Sequence, residues 1–288
     1  MGINLGSTTI SDLKLGANPV DKAYLGSELV WQKSSPVPTL RALKFTSSGS
    51  QSLGVKTSSL GDIIPNFEYS NDGNTWTSWD VTTTLPFGNG VDLYLRGNNQ
   101  TLAHSGSSCV NFVFSETNEV ACTGNVMHLL DYTQDLTSFP VTENSQGFRN
   151  LFNFCNQLVS APSLPATSLV TSCYLSMFAY CSRLVEPPKL PALELTTNCY
   201  YMMFTQCTSL NSIPALPATT LATDCYNQMF RYCSSIKMSQ TQDESYPNEF
   251  AFGINPNSYA NRMFSNTGGS FTSSPNQQIY YTANTIIS

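Results

Sequence analysis

Charge is scarce in this 288-residue chain: Asp, Glu, Lys and Arg together make up 11% of it, where a quarter is usual. The 13 Lys and Arg are outnumbered by 19 Asp and Glu, for a formal net charge of −6, and the basic residues never form a run. Binding nucleic acid needs a basic stripe to neutralise phosphates, so no nucleic-acid partner is expected. No stretch approaches the length of continuous apolar sequence that spans a bilayer, so no membrane insertion is expected. The opening, MGINLGSTTISDLKLG, has neither a basic n-region nor an apolar core, and no signal peptide is expected there. Histidine is rare (His104 and His128), and the spacings G-x-S-x-G, H-E-x-x-H, Walker A and G-x-G-x-x-G do not occur. Asp72, Asp80 and Asp92 are the carboxylates a glycosidase would draw on. Asp72 sits in NDGN, where Asp is ordinary turn chemistry and the sequence is too short for a calcium loop. Catalytic residues, metal and cofactor are therefore all expected to be none.

What the chain does have is 41% apolar residues, enough for a core, and three stretches of different texture. INLGSTTISD, LKLGANPVDK and AYLGSELVWQ repeat every ten residues. Leu5-Gly6, Leu15-Gly16 and Leu25-Gly26 share a phase, as do Ile10, Val20 and Val30. A Gly after an apolar residue, then an apolar residue four later, reads as strand, turn, strand. Some thirty residues bury little by themselves, so residues 1–33 read as a segment for attachment or oligomerisation, with Trp31 as an anchor. SSPVP (34–38) reads as a stiff linker. Residues 39–123 read as a small antiparallel β-sandwich. Asp72-Gly73 separates two strand-like runs in FEYSNDGNTWTSW, and VDLYLRG and VNFVFS follow as further strands.

From 124 to 288 the chain carries a 26-residue repeat. Phe152, Phe178, Phe204 and Phe230 are in phase, as are Cys155, Cys181, Cys207 and Cys233. Cys173-Tyr174, Cys199-Tyr200 and Cys225-Tyr226 hold a second phase, and Leu-Pro-Ala at 164, 190 and 216 a third. A fixed period of this length is the mark of a solenoid, since each unit can bury its apolar face only on its neighbours. Within a unit, Thr171, Thr197 and Thr223 are placed to N-cap a short helix. Cys225 with Met229, and Tyr226 with Phe230, then lie four apart on one face. SLNSIP (209–214) reads as the extended rung. Met263-Phe264 belong to a degenerate last copy that reads as a C-terminal cap.

The nine cysteines admit three readings. C-x7-C lacks the close pairs of a zinc site. Eight helical residues span about 12 Å, too far for a disulfide, although equivalent cysteines of adjacent rungs approach about 5 Å. The odd count and the absent signal favour reduced thiols acting as small apolar wedges.

CYxxMFxxCxSL and PxLPATxL, in their 26-residue phase over 136–267, resemble the BspA-like leucine-rich repeats of bacterial surface proteins. FEYSNDGNTWTSW, VDLYLRGNN and CTGNVMHLL resemble the β module that precedes such repeats in gut Bacteroides proteins. The beginning, LGS…AYLGSELVWQK, is similar to N-termini of structural proteins in phages of gut bacteria, including the crAss-like group. The resemblance implies a mixed fold: an N-terminal β repeat, an antiparallel β-sandwich and a C-terminal α/β leucine-rich-repeat solenoid. It implies a non-enzymatic virion protein, a head fibre or tail-associated fibre. Residues Leu5, Gly6, Leu15, Gly16, Leu25, Gly26 and Trp31 would attach it to other capsid or tail proteins, and a homotrimer is expected by analogy with phage fibres. A bacterial BspA-like adhesion module and a polysaccharide depolymerase are the alternatives. Positions that differ between copies are expected to face solvent. Among them are Asn153/Ala179/Thr205/Arg231, Phe154/Tyr180/Gln206/Tyr232, Leu175-Ser176, Tyr201-Met202 and Asn227-Gln228. From these, Tyr180, Tyr201, Gln206, Arg231 and Tyr232 make a candidate surface for a host glycan or protein.

Overall fold

The computed structural model describes residues 40–106, 108–142, 144–238 and 262–269, with short strand pairs inside 4–32 and 280–287. It contains two compact units, Met1–Leu40 and Arg41–Ser288.

The first unit holds three antiparallel hairpins in the ten-residue phase of the sequence. They pair β1 (Asn4–Leu5) with β2 (Thr8–Thr9), β3 (Leu13–Leu15) with β4 (Asn18–Val20), and β5 (Lys22–Leu25) with β6 (Glu28–Gln32). The pairs Leu5–Thr8, Leu15–Asn18 and Leu25–Glu28 close the hairpins. Each leaves two residues between the strands with Gly first, the composition that two-residue hairpin loops favour. Gly6, Gly16 and Gly26, like the linker 34–38, lie outside the described residues. Trp31 falls in β6 opposite Ala23.

The second unit begins with two sheets. One has the order β10-β9-β12-β7-β14-β15 and the other β11-β8-β13. Their strands are β7 (Leu43–Thr46), β8 (Gln51–Val55), β9 (Phe67–Ser70), β10 (Thr77–Ser78), β11 (Leu85–Phe87), β12 (Leu93–Gly97), β13 (Phe112–Phe114), β14 (Val120–Gly124) and β15 (Leu158–Ser160). All pairs are antiparallel except β14 with β15. Period-2 alternation turns Leu43, Phe45, Leu93 and Leu95 fully inward, and Phe45 meets Phe112 and Phe87 of the other sheet at 6.2 and 6.3 Å. Outside, Lys44 pairs with Asp92 at 2.7 Å and Arg96 with Glu68 at 2.7 Å. The Arg96 guanidinium lies between the rings of Trp76 and Tyr132, 3.8 and 4.0 Å from their centres. The hairpin expected around Asp72-Gly73 is β9–β10. Its loop is longer than two residues because the Asp72 carboxylate gathers the N–H groups of Asn74 and Thr75.

Among the described residues the repeats do not contain the helices expected of them. Among the described residues the helical elements are two short 3-10 turns, Thr57–Ser59 and Val126–Leu129; Thr171, Thr197 and Thr223 cap nothing. Each copy instead runs as linked turns with a left-handed residue every four positions. These are Ser172, Ser176 and Tyr180, then Asn198, Met202 and Gln206, then Asp224, Gln228 and Tyr232. Backbone donors alternate in direction. The N–H groups of Cys173, Leu175, Met177, Ala179 and Cys181 bond three residues back, at 3.1–3.2 Å. Those of Ser172, Tyr174, Ser176, Phe178 and Tyr180 cross to Thr197, Cys199, Tyr201, Met203 and Thr205 of the next copy, at 2.7–3.0 Å. Every backbone donor over this stretch is thereby used without a helix. A repeat of four also puts i and i+4 on one side, which is why the spacing imitates helical periodicity. SLNSIP is not a strand either; extended rungs form at β15 and at β16 (Lys237–Met238), which pairs with β17 (Gly268–Gly269). A last pair, β18 (Tyr280–Thr282) with β19 (Thr285–Ile287), closes the chain.

The sheets seat the first copy. Leu102 and Phe112 give their N–H groups to the carbonyls of Gly147 and Leu151. The Asn111 side chain donates to the carbonyls of Asn150 and Asn153. One apolar cluster runs from Leu43 through Phe264, crossing position 123/124 where the sequence changes texture.

Candidate functional site

Two columns of side chains, two residues apart in sequence, divide the work of the repeats. The inner column is Phe152, Phe178, Phe204, Phe230 and Phe264, all fully buried. The rings lie 5.5–5.7 Å apart and 3–10° from parallel. Tyr174, Tyr200 and Tyr226 stack beside them at 5.8 Å. Met263-Phe264 continues the stack, as its match to the repeat implied.

All nine cysteines are free and buried. Those after the phenylalanines are more than wedges. The thiols of Cys155, Cys181, Cys207 and Cys233 donate to the carbonyls of Phe112, Phe152, Phe178 and Phe204, at 3.2, 3.1, 3.0 and 2.9 Å. The last three thiols therefore tie their copies to the Phe of the one before, and Cys155 ties the first copy to Phe112 of β13. Burial pushes the Cys181 and Cys233 thiols well above the ordinary range and Cys225 up to about 11, so they stay protonated and able to donate. Among the described residues no group of His, Cys, Asp or Glu is arranged to hold a metal ion.

The outer column is Phe154, Tyr180, Gln206 and Tyr232, each in the left-handed region with φ of 62–66°. That conformation is unfavourable for bulky residues and persists where surroundings impose it. Here their N–H groups are held by Ala179, Thr205, Arg231 and Ser265 of the following copies. The same backbone points the side chains away from the core: Phe154 is 60% exposed and stacks on Tyr180 with centres 4.3 Å apart.

The five candidate residues fall into two linked groups. Tyr180 and Gln206 belong to the outer column. Tyr201 and Arg231 belong to a polar chain in which the Gln228 amide donates to the Tyr201 hydroxyl at 3.2 Å. Arg231 donates in turn to Gln228 at 2.6 Å and to the Tyr232 hydroxyl at 3.1 Å. Tyr232 joins both groups, and all five are half-buried. Gln228 is the missed member: only as the link between Tyr201 and Arg231 does it matter, and that link depends on copy-to-copy register. The expectation that differing positions face solvent fails at Ala179 and Thr205, 1% and 2% exposed, and at Ser176 and Asn227, 8% and 9%. Small side chains there fill space between turns, and Thr205 hydroxyl donates to the Gln228 carbonyl at 2.7 Å.

Comparisons with protein-family models, curated proteins and solved structures find no match to this chain. Among the described residues no helix is long and apolar enough to cross a membrane.

Proposed function

We propose that this chain is a non-enzymatic surface protein of a phage particle, a head fibre or tail-associated fibre. Its N-terminal hairpins dock on the particle, and its stacked repeats form a solenoid displaying a surface to host glycan or protein. The observation that carries this reading is the division between columns. The Phe column repeats without change, the Cys three residues after it recurs through four copies, and both are consumed by packing. The outer column changes from Phe to Tyr to Gln to Tyr at positions that contribute little to the core. A scaffold that holds its interior constant while varying one outward stripe suits recognition. Aromatic rings beside Gln and Arg suit partners that combine apolar faces with hydroxyl or amide groups. The separate compact unit Met1–Leu40 supports an attachment role for the hairpins.

Light scattering on the full chain, and on a chain starting at Pro38, tests the assembly role. A homotrimer that becomes a monomer on truncation is expected. A monomer in both states would move the reading to a BspA-like adhesion module.

A further inference from the structure

At one edge of the repeats four segments, 137–139, 167–169, 193–195 and 219–221, follow one another from copy to copy. The first two are joined: the N–H groups of Thr167 and Ser168 reach the Thr137 carbonyl at 2.8 and 3.3 Å, and that of Phe139 reaches Ser168 at 3.4 Å. The last two are joined in the same pattern. Thr219 and Thr220 N–H reach Leu193 carbonyl at 2.9 and 3.1 Å, and Leu195 N–H reaches Thr220 at 2.9 Å. Between the second and third segments the corresponding bonds are not made among the described residues. By register, Leu193 and Glu194 N–H would meet the Thr167 carbonyl, and Leu169 N–H the Glu194 carbonyl. A groove of about 460 Å³ occupies that place, with Thr167, Ser168, Glu194, Thr196 and Thr220 as its polar lining and Leu169, Pro191, Leu193 and Leu195 as its apolar lining. The sequence also differs at this junction. Sister copies carry Thr167-Ser168 and Thr219-Thr220, whereas this one carries Leu193-Glu194, with Leu193 55% exposed.

We propose that this split binds the acetamido group of an N-acetylated sugar. The unmade bonds leave the Leu193 and Glu194 N–H groups and the Thr167 carbonyl without each other, and an acetamido group offers the complementary acceptor and donor. Its carbonyl accepts from Leu193 and Glu194 N–H, its N–H donates to the Thr167 carbonyl, and its methyl lies against Pro191 and Leu193. Ser168, Thr220 and the Glu194 carboxylate supply partners for ring hydroxyls. Backbone groups left to water at a partly enclosed edge gain most from a ligand matching both donor and acceptor. An extended peptide offers the same amide but must continue along the rung. Past the split the copies close again, with Thr196 hydroxyl on the Val170 carbonyl at 2.9 Å and Ser172 N–H on Thr197 at 2.9 Å. A ligand that carries its amide as a side group meets no such obstruction. This site uses none of the outer-column residues and does not depend on the virion reading.

The test is amide-resolved NMR of the full chain titrated with a tetramer of N-acetylglucosamine, a glucose tetramer and N-acetylglycine methylamide. Expected are saturable shifts of the Leu169, Leu193 and Glu194 amides with the N-acetylated sugar and not with the glucose tetramer. A Leu193→Thr/Glu194→Thr variant, which restores the sister-copy residues and closes the split, is expected to bind about tenfold more weakly or not at all. Its fold is checked by unchanged shifts in the Phe column. Equal response to the glucose tetramer, silence at the three amides, an unaffected variant, or tighter binding of the methylamide than of the sugar would each overturn the proposal.

Discussion

The two halves of the larger unit answer the same demand, that every buried backbone group find a partner, in different ways. In the sheets all bonds of a strand go to neighbours, and side chains alternate with a period of two. In the ribbon of turns of the repeats half the donors bond within the copy and half bond to the next, and side chains recur with a period of four. A sheet position can therefore change on its solvent face with local effect. A repeat position is stacked on its own equivalents, so its importance depends on which column it joins rather than on exposure alone.

That contrast is sharpest inside one copy. Phe178→Ala removes a ring stacked on both sides and is expected to cost about 3–5 kcal/mol, read as a lower urea midpoint. Tyr180→Ala, two residues on, loses one outer stacking contact, worth about 0.5–1.5 kcal/mol, and equal losses for the two would break the division into columns. Cys181→Ala should fall between them, near the net value of about 1 kcal/mol for a buried hydrogen bond plus a small void, because Phe152's carbonyl keeps the Cys155 N–H at 3.1 Å. A thiol reagent should label almost none of the nine cysteines in the folded chain and all of them in denaturant; rapid labelling of a repeat cysteine before unfolding would contradict the buried, proton-bearing columns. The smallest effect separates the halves by pH. Carboxyls held below their ordinary value by hydrogen bonds, Asp72 by Thr75 and Asn74 and Asp135 by His128 and Arg41, all precede the Cys-Tyr repeats. Their stabilising contribution is complete above the unfolded value of 3.8 and is lost as pH falls through their lower folded values. Acid should then loosen the sheets first in hydrogen exchange, and Asp135→Asn should flatten that acid limb.

Much of this was legible in the sequence and some was not, for identifiable reasons. The hairpins of the first unit follow from Leu-Gly at 5, 15 and 25, because a two-residue loop with Gly leaves few other solutions. β9 follows from the aromatic run beside Asp72-Gly73, β12 from alternation in LYLRG, and β13 from the apolar run FVF. The phase of the repeats gave the stacked Phe column outright. What misled was the distance of four between Tyr226 and Phe230. Helices and four-residue turn ribbons share that spacing, and only the left-handed residues at Asp224, Gln228 and Tyr232 tell them apart, at positions where sequence does not announce them. The thiol bonds were equally hidden, since for Cys181, Cys207 and Cys233 a partner 29 residues away is set by register between copies. So was the split at Leu193-Glu194, which shows in the sequence only as one copy out of step with its sisters.

Along the ribbon of turns the backbone bonds between copies run one way: alternate N–H groups are given forward to the next copy's carbonyls, while at the edges Ser209 and Thr219 N–H reach back to Ser182 and Leu193. Asn111, Phe112 and Leu102 begin that succession from the sheets, and Met263 and Ser265 receive its last donors from Phe230 and Tyr232. Start and finish are thus different in kind, while along the ribbon of turns every copy between them offers and accepts the same backbone groups. A duplication of 26 residues inside the array would meet matching partners on both sides and leave either end untouched. The length of the displayed stripe, and with it the reach of whatever it recognises, is heritable in whole steps.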